Sequence, residues 1–219
     1  MINHFIETRF NLKYSFIKYK KHLNENWLNY RLELFNKFCA PSVLGQKNKN
    51  FFWMIKCDSE TPNEILNKIK IDDRIHIYFN KDENLNIRKE ISNLNHPFVF
   101  SRFDSDDIYR NDFTEEIKNN SSVYEDEYLI DINYSSFDLS KNLFCQKNIY
   151  PSHFVSIKTN NIEKDIYEDK HVNYSSKYKI FKIKENLALE LIHGKNISNK
   201  FNENAKKIDI NLSDYNILL

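Results

Sequence analysis

Asp104-Ser105-Asp106-Asp107 places three carboxylates within four residues, shortly after the apolar run Phe98-Val99-Phe100. Like charges this close raise the cost of ionising one another, so the turn calls for a positive partner. A hard divalent cation, Mn2+ or Mg2+, takes carboxylate oxygens and often bridges them to a phosphate group. Three readings compete on spacing alone. The turn is a solvated loop whose aspartates, Asp107 among them, cap the next helix; or it is a metal site for sugar-nucleotide chemistry; or it serves another phosphoryl reaction.

A second cluster, His193-Gly194-Lys195-Asn196, holds one of only two glycines in the chain. Glycine lets a ligand approach the backbone closely, imidazole completes a metal shell, and lysine neutralises phosphate oxygens. A lone histidine is also a common structural residue. The scarcity of glycine excludes a Walker-type phosphate loop and the glycine-rich dinucleotide fingerprint.

Both clusters need elements to position them. Residues 4–10 alternate and are rich in bulky side chains, which predicts a strand with Thr8 and Arg9 near its carboxyl end. Leu28, Leu32, Phe35 and Cys39 recur at helical spacing, and Pro41 ends that helix or opens a short one. Residues 51–57 form a nearly continuous apolar strand ending at Asp58-Ser59, followed by Thr61-Pro62-Asn63-Glu64, which reads as a capping box. Strand and helix then repeat, with residues 75–79 extended and Ile87, Ile91 and Leu94 on one helical face. Residues 128–132, 143–145 and 154–157 are shorter and predict hairpins. The tail beyond Phe201 is polar and predicts loose packing. Alternation of this kind implies a mainly parallel sheet with helices on both faces, whose ligands bind outside the carboxyl ends of the strands. Thr8-Arg9, Asp58 and the acidic turn would then share one rim.

With 32 Lys and Arg against 31 Asp and Glu, the 219-residue chain carries a formal charge of +1 and lacks the basic footprint of a nucleic-acid binder. Cys39, Cys57 and Cys145 are widely spaced in apolar contexts, as expected of reduced thiols in a cytoplasmic protein. No apolar run reaches the roughly 20 residues that span a bilayer.

The blocks at residues 4–10, 27–35, Pro41-Ser42 with Gln46, 51–58, Arg102 to Asp107 with Asp112-Phe113, and 192–199 resemble, in order, those of a rhamnosyltransferase family similar to glycosyltransferases of the GT-A fold. The resemblance covers roughly residues 4–201. It implies a single GT-A-like (Rossmann-like) α/β domain with a nucleotide-binding half (1–120), an acceptor and metal-completing half (121–201) and a C-terminal tail (202–219). It implies metal-dependent transfer of a sugar, rhamnose among the candidates, from a nucleotide-sugar donor to a glycan or glycolipid acceptor. The Asp-x-Asp motif maps to Asp104 and Asp106, which would hold Mn2+ or Mg2+ together with His193. Thr8, Arg9 and Asp58 would surround the nucleotide, Arg102 or Arg9 would pair with phosphate or with the turn, and Lys195 would meet the diphosphate. Glu168, Asp169 and His171 are the general-base candidates, in a block that matches loosely. A lipid-linked acceptor would bring the chain to a membrane surface. Two other readings stand beside this one: a non-catalytic carbohydrate-binding or assembly protein, and a sugar-nucleotide nucleotidyltransferase, which normally has a glycine-rich loop where Asn11-Leu12-Lys13-Tyr14 stands.

Overall fold

Strands buried on both faces send successive side chains to opposite layers, and the first half of the chain is built this way. The computed structural model describes residues 2–13, 21–147, 149–196 and 199–217; Tyr14 and the Ile197-Ser198 part of the last motif lie outside them. Strands β1 (Asn3–Arg9), β2 (Phe52–Lys56), β3 (Ile75–Tyr78) and β4 (Phe98–Asp104) pair in parallel in the order β3-β2-β1-β4. Ile6, Trp53, Ile55, Val99 and Phe103 face one layer, packing with Leu28 and Leu32 of α1 (Glu25–Leu34) and Ile65 and Ile69 of α3 (Asn63–Ile69), which follows α2 (Ala40–Leu44). Their neighbours Phe5, Met54, Phe98 and Phe100 face the other layer, with Ile87 and Ile91 of α4 (Lys81–Ile91).

Beyond β4 the short strand β5 (Ile108–Tyr109) and helix α5 (Phe113–Asn120) lead into the mixed half of the sheet. Its strands are β6 (Tyr128–Asp138), β7 (Leu143–Gln146), β8 (Ser156–Thr159), β9 (Lys179–Ile192) and β10 (Lys207–Ile208). β8 is antiparallel to β4, β6 is antiparallel to both β8 and β7, and β9 runs parallel to β6 on its other side. The result is a mixed α/β fold with a parallel N-terminal core and the expected hairpin geometry beyond it. Among the described residues no helix is long and apolar enough to cross a membrane, and all three cysteines are free and buried.

For Pro41 the second alternative holds: it sits at the N1/N2 position of the short helix α2, which a π-helical turn, Phe35–Cys39, joins to α1. Several local expectations are corrected. Thr61 does not cap α3; its hydroxyl donates to the Asp58 carbonyl (2.6 Å) and accepts from Asn11 Nδ2 (2.9 Å). Leu94 lies beyond α4 and is 61% exposed. The tail is docked, because β10 pairs with β7 and the side chains of Tyr215 and Ile217 are buried.

Candidate active site

The register of β1 and β4 sets Arg9 opposite Asp104 at the carboxyl ends of both strands. There the Arg9 guanidinium reaches Asp104 Oδ1 at 3.4 Å. Burial would raise the Asp104 pKa, but the charges of Arg9 and Arg102 outweigh it and hold the carboxyl well below its usual range. Two residues on, Asp106 Oδ2 accepts from Arg31 Nη1 at 2.6 Å and lies 3.1 Å from His193 Nε2. Arg31 Nε also donates to Ser105 Oγ at 2.9 Å, so one helix side chain grips two residues of the turn. Here too burial opposes ionisation, and Arg31 helps bring the Asp106 pKa down. Part of the positive partner that the turn requires is therefore arginine.

Asp107 points inward and caps nothing. Its Oδ1 accepts the Leu191 N–H at 3.0 Å and its Oδ2 meets His153 Nε2 at 3.2 Å. The N-cap position of α5 falls instead to Asp112, whose side chain makes no capping bond. Burial, reinforced by Asp106, Asp104 and Glu190, pushes the Asp107 carboxyl well above the usual carboxylate range.

A cavity of about 280 Å³ opens between this rim and the β6/β9 half of the sheet. Of the residues singled out from sequence, Arg9, Arg102, Asp104, Asp106, Lys195 and His171 line it. Arg9 and Arg102 both lie over the Tyr167 ring, at 4.2 and 4.8 Å from its centroid, while the Tyr167 hydroxyl donates to the carbonyls of Glu7 and Phe103. Lys195 sits 3.8 Å from the Tyr30 ring centroid. Gly194 turns the chain between His193 and Lys195 with φ at +77°, a left-handed conformation that suits glycine. His193 stands behind the wall, with Nδ1 bonded to the Tyr30 hydroxyl at 3.0 Å.

The remaining predicted residues lie elsewhere. Thr8 is buried, accepts the Trp53 indole N–H at 2.9 Å as a core partner, and is not part of the cavity wall. Thr8→Val keeps the shape and removes the acceptor; we expect it to lower stability in urea titration by about 1–3 kcal/mol and to leave nucleotide affinity unchanged. Asp58 is held by His22 Nε2 at 3.1 Å and is not part of the cavity wall. Glu168 and Asp169 also lie off the wall, paired with Lys164 at 2.9 Å and Lys177 at 2.6 Å. Bonds from Lys177 and Asn173 hold Asp169 down to about 2, a weak base. His171 donates from Nδ1 to the Pro151 carbonyl at 2.9 Å, leaving Nε2 as its basic nitrogen.

Four titratable wall residues had no role assigned from sequence: Arg31, Tyr134, His153 and Glu190. Arg31 sits on a helix where an arginine reads as solvated surface. Tyr134 follows a bulge in the β6/β9 pairing, at Ile132 to Tyr134, which breaks the regular alternation. Its hydroxyl is buried without a hydrogen-bond partner among the described residues. Glu190 accepts from Ser136 Oγ at 2.7 Å and pairs with Lys147 at 3.1 Å.

Two carboxylates and an imidazole at Asp104, Asp106 and His193 match the donor chemistry of a Mn2+ or Mg2+ site. Among the described residues, however, no three His, Cys, Asp or Glu side chains close on one point, and Arg31 already occupies Asp106 Oδ2. The donors fit an ion in kind, which would compete with Arg31 for that oxygen.

The sequence matches the family described as "Putative rhamnosyl transferase" over residues 17–205. No curated protein matches it. Among solved structures, S. aureus TarS in complex with UDP-GlcNAc is similar with a TM-score of 0.53 and 11% identity, over 90% of this chain and 60% of that one. The same protein with UDP gives a TM-score of 0.49 and 10% identity over 88% and 61% of the two chains. A cytidylyltransferase from Leptospira borgpetersenii serovar Hardjo-bovis gives 0.41 and 12% over 85% and 76%. The chain thus spans about three fifths of the TarS chain with which it aligns at 0.53, and that likeness is one of fold, GT-A-like mixed α/β.

Proposed function

The chain belongs to the family described as "Putative rhamnosyl transferase", and from that premise we propose that it is a glycosyltransferase moving a sugar from a nucleotide-sugar donor to a glycan or glycolipid acceptor. The observation that carries this reading is the rim itself, where Asp104 and Asp106 stand among Arg9, Arg31, Arg102 and Lys195 at the carboxyl ends of parallel strands. A departing nucleoside diphosphate accumulates negative charge, and fixed cations aimed at it stabilise the transition state more than the ground state. Arg9 and Arg102 are pre-positioned by Tyr167 and so bind phosphate oxygens with little further ordering. Asp106 with His193 and Asp104 would hold Mn2+ or Mg2+, which when bound neutralises further charge on the leaving diphosphate. The half from 1 to 120 serves the donor on this reading, and the half from 121 to 201 serves the acceptor. UDP-GlcNAc and UDP in the S. aureus TarS structures support a nucleoside diphosphate as the shared element of the donor. Rhamnose is the sugar that the family description suggests.

Calorimetry and thermal melting with UDP, GDP and dTDP, each with Mn2+ or Mg2+, test this directly. At 100 times Kd the folded state gains about 2.7 kcal/mol, roughly 5–10 °C in Tm for a chain of this size. No heat and no shift with any of the three would remove the transferase reading. Donor hydrolysis without acceptor would exclude the non-catalytic alternative.

A further inference from the structure

The cavity has two chemically different ends. One holds the arginines and the acidic turn. The other is built from the C-terminal half, by Tyr134, His153, His171 and Glu190. At this second end we infer that His153 is the general base for the acceptor hydroxyl, with Asp107 as the residue that orients it; the inference rests on the transferase reading.

His153 is fixed from several sides. Its ring lies 4.0 Å from Phe154 and 5.0 Å from Tyr134, centroid to centroid, and its Nε2 faces the Asp107 carboxylate at 3.2 Å. Asp107 is itself pinned by the Leu191 backbone N–H. A carboxyl group behind one imidazole nitrogen holds the ring's orientation, leaves Nδ1 as the nitrogen free to take a proton, and as carboxylate compensates the imidazolium once that proton arrives. Beside the ring the Tyr134 hydroxyl is buried, lines the same cavity and has no partner among the described residues. Such a group requires a polar ligand, and a sugar hydroxyl supplies one.

The neighbours are less well placed to take the proton. Glu190 Oε2 takes both the Lys147 ammonium and the Ser136 hydroxyl, so its charge is already paired. Burial raises the Tyr134 hydroxyl far above the working range. His171 is backed by a neutral carbonyl, with no carboxyl group behind its Nδ1. The charged and titratable groups facing His153 are Asp104 and Arg102 on β4, Asp106 and Asp107 in the turn, Tyr134 on β6, Glu190 on β9 and His171. Burial lowers the His153 pKa below 6.5, and Glu190 and Asp104 oppose that lowering.

In the step, the acceptor oxygen attacks the anomeric carbon as its proton passes to His153 Nδ1. The bond from that carbon to the diphosphate oxygen breaks, and the nucleoside diphosphate leaves with the electron pair. The imidazolium then returns its proton to solvent.

The test uses the full chain with whichever nucleotide sugar of a panel it turns over. His153→Gln retains the bulk and a donor toward Asp107 but has no basic nitrogen. We expect kcat to fall by at least roughly 100-fold, nucleoside diphosphate affinity to stay unchanged by calorimetry, and the acid limb of the kcat profile to disappear. His153→Ala should regain part of its rate when imidazole is added, which a structural role would not allow. Asp107→Asn should lower kcat with KM unchanged. Wild-type-like kcat in His153→Gln, or a larger loss in His171→Gln, overturns the assignment while the transferase reading stands. If the wild-type chain neither binds nor cleaves any donor, both fall together.

Discussion

Replacing Asp106 with asparagine is expected to reduce transfer by roughly 100- to 1000-fold, the range seen when one group aimed at developing charge is lost. Asparagine is the informative change because it nearly preserves shape and can still accept from Arg31, so the loss reports on the charge. From sequence, removing a carboxylate from an acidic turn should relieve repulsion. The structure reverses that expectation, since Asp106 is paired with Arg31 at 2.6 Å and His193 at 3.1 Å and its side chain is 12% exposed. Its pKa is depressed in the folded state, so its stabilisation is present above the unfolded value and lost as pH falls through the folded one. At neutral pH the asparagine variant should lose that contribution, about 1–3 kcal/mol for a charge-assisted hydrogen bond, and melt a few degrees lower. A Mn2+-dependent rise in melting temperature with nucleoside diphosphate should vanish in the same variant. Retained transfer together with a retained metal-dependent shift would remove Asp106 from the donor site.

The rim was legible because its causes are local. An apolar run with a polar end reads as a buried strand whoever its neighbours are, and three carboxylates in four residues announce a charge problem anywhere in a chain. That is why β1, β2, β4 and the acidic turn could be placed from residue types alone. The other end of the cavity was opaque because it depends on partners far away in sequence. His153 acquires meaning only when Asp107, 46 residues earlier, turns inward, and Asp107 turns inward because the Leu191 N–H meets it across the β5/β9 region. Helical spacing recovered the apolar face of α1 but is silent about Arg31 on its polar side. The charged segment from 166 to 171 drew attention to Glu168 and Asp169, whereas the residue there that organises the site is Tyr167, whose hydroxyl joins the ends of β1 and β4. An aromatic between charges signals core or surface equally well, and only the strand ends above it decide.

Arg88→Leu is expected to cost about 3–5 kcal/mol, the penalty for stranding a buried charge when its partner is removed, read as a lower urea midpoint with the slope unchanged. Arg88 Nη2 meets Glu7 Oε1 at 2.7 Å, with side chains 5% and 2% exposed, and its Nη1 donates to the carbonyls of Ile162 and Lys164. The Tyr78 hydroxyl donates to the other Glu7 oxygen at 2.9 Å. One ion pair thus ties α4, β1, β3 and the 162–164 segment together. If the stranded carboxylate is the main cost, adding Glu7→Leu to Arg88→Leu recovers part of the loss, leaving the Tyr78 hydroxyl and two carbonyls to account for the rest. A double variant no more stable than the single one would shift the cause to those neutral groups. The consequence reaches the cavity through a short covalent path. Glu7 stands two residues before Arg9, and its carbonyl accepts from Tyr167, over whose ring Arg9 lies. Loosening Glu7 should therefore weaken nucleoside diphosphate binding in the single variant more than in the double one, although neither substitution touches the cavity that Asp106 lines.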